Sequence, residues 1–226
     1  MEIVPTINSA QDFMELESRI KILDGLPRGL IRRVSIDVVD GKFASPASWP
    51  YTQDDDVDGA IKEFKDIKTD LSIELHMMVS YPEDFLDEWI DSPVDRIVIH
   101  AEALQDVENT LAVIDMSKTK SAVALKLDTD IDKIDEVVDR IDMIELMSID
   151  KLGTNGAEFC PAVLKRIKEV KKRYPGKLIA VDGGINETNI KDIKKAGADF
   201  AQIGSAVWHG GKFEENILKL KKIIGD

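Results

Sequence analysis

Eight short, apolar, β-branched runs recur along the chain, and this repetition constrains the fold more than any other feature. They are IVPTI, IRRVSIDV, LSIELHMMV, DRIVIHA, SAVALKL, DMIELMS, KLIAVDGG and DFAQIG. Segments with helical spacing lie between them. Phe13, Leu16, Ile20 and Leu23 recur at steps of three and four residues, as do Val163, Ile167, Val170 and Tyr174, and Phe213, Ile217, Leu220 and Ile224. Weaker versions surround Phe85/Trp89, Val107/Leu111/Ile114 and Ile131/Ile134/Val137. Strand followed by helix, repeated along the whole chain, calls for parallel βαβ units, because parallel neighbours need a long crossover between them. Eight such units in 226 residues have the size of an α/β protein of the (β/α)8 TIM barrel type, and residues 1–226 are read as one such domain. An open doubly wound sheet is the competing arrangement. It expects a glycine-rich turn after its first strand, which IVPTINSAQ lacks.

Composition narrows the function. The chain has 43 Asp+Glu against 30 Lys+Arg, a net charge of −13, and no basic stripe to meet a phosphate backbone, so nucleic acid is excluded as a partner. No apolar run approaches the roughly 20 residues of a membrane span, and the opening MEIVPTINSAQDF has no leader-like pattern; a cytoplasmic location is expected. The lone Cys160 cannot form an internal disulfide and reads as a small buried residue. The acidic run Asp54, Asp55, Asp56 and Asp58 reads as a solvated loop. A homo-oligomer is compatible with everything above.

A barrel of this kind carries its site at the C-terminal strand ends. The polar residues there are Asp37, His76, His100, Lys126, Met147-Ser148, Asp182-Gly183-Gly184 and Gly204-Ser205. Asp37 and Asp182 each end an apolar strand, where a carboxylate is costly unless paired or bound to a cation. Two at one barrel mouth suit an acid/base pair or metal ligands. With His76 they form an O/N set for Zn²⁺, Mn²⁺, Fe²⁺ or Co²⁺. Gly183 and Gly184 after the seventh run, and Gly204 and Ser205 after the eighth, occupy the two loops that bind phosphate in such barrels, through backbone N–H groups. An acidic chain can therefore still hold an anionic ligand.

The segments PTINSA, IDVVDGKF, HMMVSYPEDF, VIHAEA, LMSIDKLGTNGAEF, VDGGIN and QIGSAVW resemble, in this order, the strand-end motifs of ribulose-phosphate 3-epimerases, from about residue 3 to residue 208. The resemblance implies a barrel that interconverts ribulose 5-phosphate and xylulose 5-phosphate using a divalent metal held by two histidines and two aspartates. It makes Asp37 and Asp182 the acid/base residues and metal ligands, and His76 a further ligand near the sugar. Thr6 falls at a substrate-contacting hydroxyl. Met78 and Met147 belong to a methionine cluster beside the reacting carbons, and the glycines with Ser205 hold the phosphate.

The departures are specific. Ser35 stands where the family has its first metal-binding histidine, and Val39 replaces a methionine. A serine hydroxyl is a poor neutral ligand, so one metal contact is expected to be lost or supplied by water. The loop Asp150–Gly156 differs from the family's Pro-Gly-rich type. Period-two alternation points Glu74 and Glu145 into the barrel, and at 145 the family has an apolar residue. Lys126, on the neighbouring strand, is expected to pair with Glu145 and bring positive charge to the site. Two rivals stand beside the epimerase reading. One is a metal-light isomerase or lyase of another sugar phosphate, although IDVVDG lacks the lysine that the synthase and decarboxylase relatives carry between two aspartates. The other is a phosphosugar-binding barrel with a degenerate metal site.

Overall fold

Each apolar run forms a strand with two differently committed faces. The computed structural model, which describes residues 1–52, 56–104, 107–154 and 156–226, contains β1 (Glu2–Ile7), β2 (Arg33–Val39), β3 (Ser72–Met78), β4 (Arg96–His100), β5 (Lys120–Leu125), β6 (Met143–Met147), β7 (Leu178–Asp182) and β8 (Phe200–Ile203). They pair in parallel and in sequence order, and β8 closes on β1. Outward residues such as Val34, Ile36, Ile73, Leu75, Ile97, Val123, Ile144 and Val181 pack against the surrounding helices. Inward residues Val4, Val98, Ala122, Ala124, Met143, Ala180 and Phe200 fill the barrel interior. This is the (β/α)8 architecture that the alternation demands.

The helices are α1 (Phe13–Asp24), α2 (Val57–Phe64), α3 (Leu86–Ile90), α4 (Val107–Asp115), α5 (Val163–Arg173), α6 (Ile190–Ala196), α7 (Ser205–Trp208) and α8 (Phe213–Ile224). The periodic sets at 13–23, 163–174 and 213–224 supply the buried stripes of α1, α5 and α8, with Tyr174 just past the end of α5. The weak set at Ile131/Ile134/Val137 forms no α-helix. Its segment holds two 3₁₀ turns, Ile131–Ile134 and Val138–Arg140, although Ile134 and Val137 are buried. Aspartates at 128, 130, 132, 135 and 139 favour turns over an α-helix interior.

The acidic run is only partly a loop. Asp54 and Asp55 lie outside the described residues. Asp56 caps α2, accepting a hydrogen bond from Gly59 N at 2.8 Å, and Asp58 pairs with Lys62 in its first turn. Cys160 is half-buried, three residues ahead of α5, rather than buried. Among the described residues, no helix is long and apolar enough to cross a membrane.

Candidate active site

Strand register brings the predicted residues together. Asp37 on β2 lies beside His76 on β3, and Asp182 at the end of β7 lies between Met147 on β6 and Gln202 on β8. All three ligand candidates are buried, and their donor atoms lie within 4.8 Å of one another. His76 Nδ1 is 3.4 Å from Asp37 Oδ1 and 3.7 Å from Asp182 Oδ2. A third carboxylate comes closer still: Glu145 Oε1 is 3.2 Å from the same nitrogen.

The far side of His76 fixes its tautomer. His76 Nε2 is 2.9 Å from His100 Nε2, and His100 Nδ1 is 3.2 Å from Glu102 Oε2. Burial drives His100 down to about 4, so it is neutral at pH 7. Glu102 is deprotonated: burial would raise it, but hydrogen bonds from His100, Thr129 and the Lys126 backbone N–H bring it to about 2. His100 therefore donates from Nδ1 to Glu102 and accepts at Nε2 from His76. A neutral His76 would have its Nδ1 lone pair aimed at three carboxyl groups, so the position takes either a proton on Nδ1 or a cation among the carboxylates.

The ionisation pattern has the same cause. Burial opposes a charged His76, yet Glu145, Asp37 and Asp182 raise it to about 10. Burial, then the Asp37 charge, lifts Asp182 to about 7. Burial holds Glu145 well above the usual carboxylate range. These residues fit a divalent ion: Asp37 Oδ1, His76 Nδ1 and Glu145 Oε1 are buried and have no hydrogen-bond partner among the described residues.

A cavity of about 40 Å³ lies above this cluster, lined by Thr6, Asp37, Met78, Met147, Asp182, Gly183, Gly184, Gln202, Gly204 and Ser205 among others. The predicted phosphate loops thus open onto the same space as the carboxylates. Thr6, 1% exposed, faces into the barrel, and its hydroxyl has no hydrogen-bond partner among the described residues. Gly184 adopts φ +63°, and a Cβ there would lie 2.7 Å from Phe159 N, so the loop closes tightly only with glycine. It does not lead straight into a helix; Asn186 and Asn189 first tie a turn to Gly184 O, and α6 starts at Ile190. Val39, Ala44, Met78, Met147, Ile149 and Leu152 form an apolar roof.

One predicted pair is not made. Lys126 does not reach Glu145, because it lies beyond the end of β5 at the rim while Glu145 is level with Ala124 deeper in the barrel. The Lys126 ammonium instead sits 4.0 Å from the Phe43 ring centre, and Phe43 also packs on His100. Glu145 Oε2 accepts from the Gln202 amide at 2.5 Å, and the same amide reaches Glu74 Oε1. Arg96 holds the other Glu74 oxygen at 2.9 Å. Ser35 is wholly buried beside Thr6 and Glu74, and its hydroxyl has no partner among the described residues. Gln202, Arg96 and Glu102 were not singled out from sequence. Inward parity on an apolar strand was the available signal for the first two.

Residues 2–208 match the model of the ribulose-phosphate 3 epimerase family. The chain belongs to this family. It is 31% identical over 213 residues to the ribulose-phosphate 3-epimerase of Bacillus subtilis, covering 92% of each chain. It is 28% identical to that of Aquifex aeolicus, over 83% of this chain and 82% of the relative. Among solved structures, 3-hexulose-6-phosphate synthase from Salmonella typhimurium superposes with a TM-score of 0.69 at 14% identity, over 99% of this chain and 98% of that one. That likeness concerns the fold alone. The buried Asp37, His76 and Asp182 make this member of the epimerase family a candidate metalloenzyme.

Proposed function

We propose that the chain interconverts D-ribulose 5-phosphate and D-xylulose 5-phosphate by inverting C3. The observation that carries this reading is the placement of Asp37 and Asp182, from β2 and β7, on one cavity that the two glycine loops also line. One carboxylate takes the C3 proton, acidified by the neighbouring C2 ketone, and an ene-diolate remains. The other carboxylate returns a proton to the opposite face. A divalent ion held by Asp37, His76 and Asp182 would supply positive charge against the sugar oxygens on which negative charge develops.

The remaining residues hold the sugar in place. Backbone N–H groups at Gly183, Gly184, Gly204 and Ser205 take the phosphate, and the free Thr6 hydroxyl takes a sugar oxygen. Met78, Met147 and the rest of the apolar roof keep bulk water from the ene-diolate.

The test is conversion of ribulose 5-phosphate by the purified protein, with and without chelator and added Mn²⁺, Zn²⁺ or Fe²⁺. Turnover should appear with metal and disappear with chelator. Asp37→Asn and Asp182→Asn should each cut kcat by roughly 10²–10⁴-fold. Absence of turnover under every metal, with sugar phosphate still bound, would leave a binding protein in place of an enzyme.

A further inference from the structure

We propose that Glu145 is itself a metal ligand, so that the centre is Asp37, His76, Glu145 and Asp182. This rests on the metal-assisted reading above and concerns the gap left by Ser35. A Ser35 hydroxyl offers a neutral, weakly donating oxygen; Glu145 brings a full carboxylate from the far wall of the barrel.

Three independent features place it there. The first is separation. Ligands sharing one ion at about 2.0–2.2 Å stand roughly 3–3.5 Å from each other. Glu145 Oε1 and Asp37 Oδ1 are 3.2 and 3.4 Å from His76 Nδ1. The second is the unused donor atom. Glu145 is 0% exposed, its Oε2 is engaged by Gln202, and its Oε1, facing His76 Nδ1, receives no other contact of hydrogen-bonding kind among the described residues. A desolvated carboxylate oxygen at this position needs positive charge opposite it, supplied by a proton on His76 Nδ1 or, in its place, by a bound cation.

The third feature is access. In the barrel interior, Glu145 is flanked in register by Ala124 on β5 and Ala180 on β7. Two methyl groups beside it leave the side chain room to cross from β6 to β3. The chain Arg96–Glu74–Gln202 then fixes which oxygen faces the centre. Asp37, His76 and Asp182 stand within 4.8 Å of one another; Glu145 Oε1, 3.2 Å from His76 Nδ1 but outside that group of three, would move toward the two aspartates to share the ion.

The change has a chemical consequence. Three carboxylates and one imidazole form a harder, more negative donor set than two carboxylates and two imidazoles. This shifts relative affinity from Zn²⁺ toward Mn²⁺.

The experiment is metal binding by the 226-residue chain, stripped and reloaded, with Mn²⁺ and Zn²⁺ affinities from competition against a chromophoric chelator and the visible spectrum of the Co²⁺ form. Glu145→Gln should weaken Mn²⁺ binding at least 10–100-fold and alter the Co²⁺ spectrum. Adding Ser35→His to Glu145→Leu should restore Zn²⁺ affinity and raise the Zn²⁺:Mn²⁺ preference above that of the natural chain. Glu145→Asp, which keeps the charge and retracts it by one methylene, gives the same reading if Glu145→Gln does not fold. A folded Glu145→Gln protein with unchanged affinity and an unchanged Co²⁺ spectrum overturns the proposal. Metal affinity is read apart from turnover. A centre that depends on Glu145 in a protein with no epimerase activity supports the ligand and removes the function; an active enzyme whose affinity ignores Glu145 does the opposite.

Discussion

Single residues set the state of the site, and Glu102 does so from the greatest distance. It accepts from His100, which in turn faces His76. Its pKa, depressed to about 2 from the ordinary carboxylate value of about 4.5, means that the folded protein binds its proton less readily than the unfolded chain. The resulting stability is fully present above about pH 4.5 and is lost as pH falls toward 2. Glu102→Gln should therefore cost about 2–3 kcal/mol at pH 7, with the gap to the natural chain closing toward pH 2; urea unfolding at pH 7 and pH 3 measures it. A gap that stays constant with pH would show that the charge of Glu102 is not what matters. At this scale the sequence was informative about identity and poor on partners. Asp37, His76 and Asp182 could be read from strand ends. Lys126 could not be placed, because alternation gives the face of a strand but not the height at which a long side chain leaves it.

At the scale of elements, the loop after β6 and the loop after β2 meet over the cavity. Gly153 has φ +74°, and a Cβ there would lie 3.0 Å from Ser45 O. An L side chain at that φ costs about 1–2 kcal/mol and would push the two loops apart. Gly153→Ala is expected to lower kcat/KM about 5–10-fold, mainly through KM, and to lower the melting temperature of the ligand-free protein by about 2–8 °C. Steady-state kinetics beside a thermal melt checks this, and an unchanged KM would separate loop closure from binding. Long periodic helices such as α1, α5 and α8 were readable from spacing alone. The segment 131–140 was not, because its apolar spacing serves burial while its aspartates select 3₁₀ turns.

Across the whole molecule, a net charge of −13 confronts a phosphorylated substrate. If backbone N–H groups of the glycine loops hold the phosphate, the surrounding field opposes its approach. Raising ionic strength from about 10 to about 150 mM should then lower KM for ribulose 5-phosphate. A KM that rises with salt would mean that lysines or arginines carry the affinity. The overall architecture was the most legible level of all, since strand–helix repetition leaves few closed arrangements. The Glu74–Gln202–Glu145 network was not legible, because it joins β3, β8 and β6 across the interior, and no local pattern encodes that meeting. The two faces of each strand keep separate ledgers of constraint: residues turned toward the helices hold the shell, and those turned inward converge on a centre that every strand can reach. With alanines on either side of Glu145, a donor lost from one stave of the barrel can be replaced from another while the outer shell is untouched. The closed ring thus lets the reaction centre draw its donors from any strand, one inward-facing position at a time.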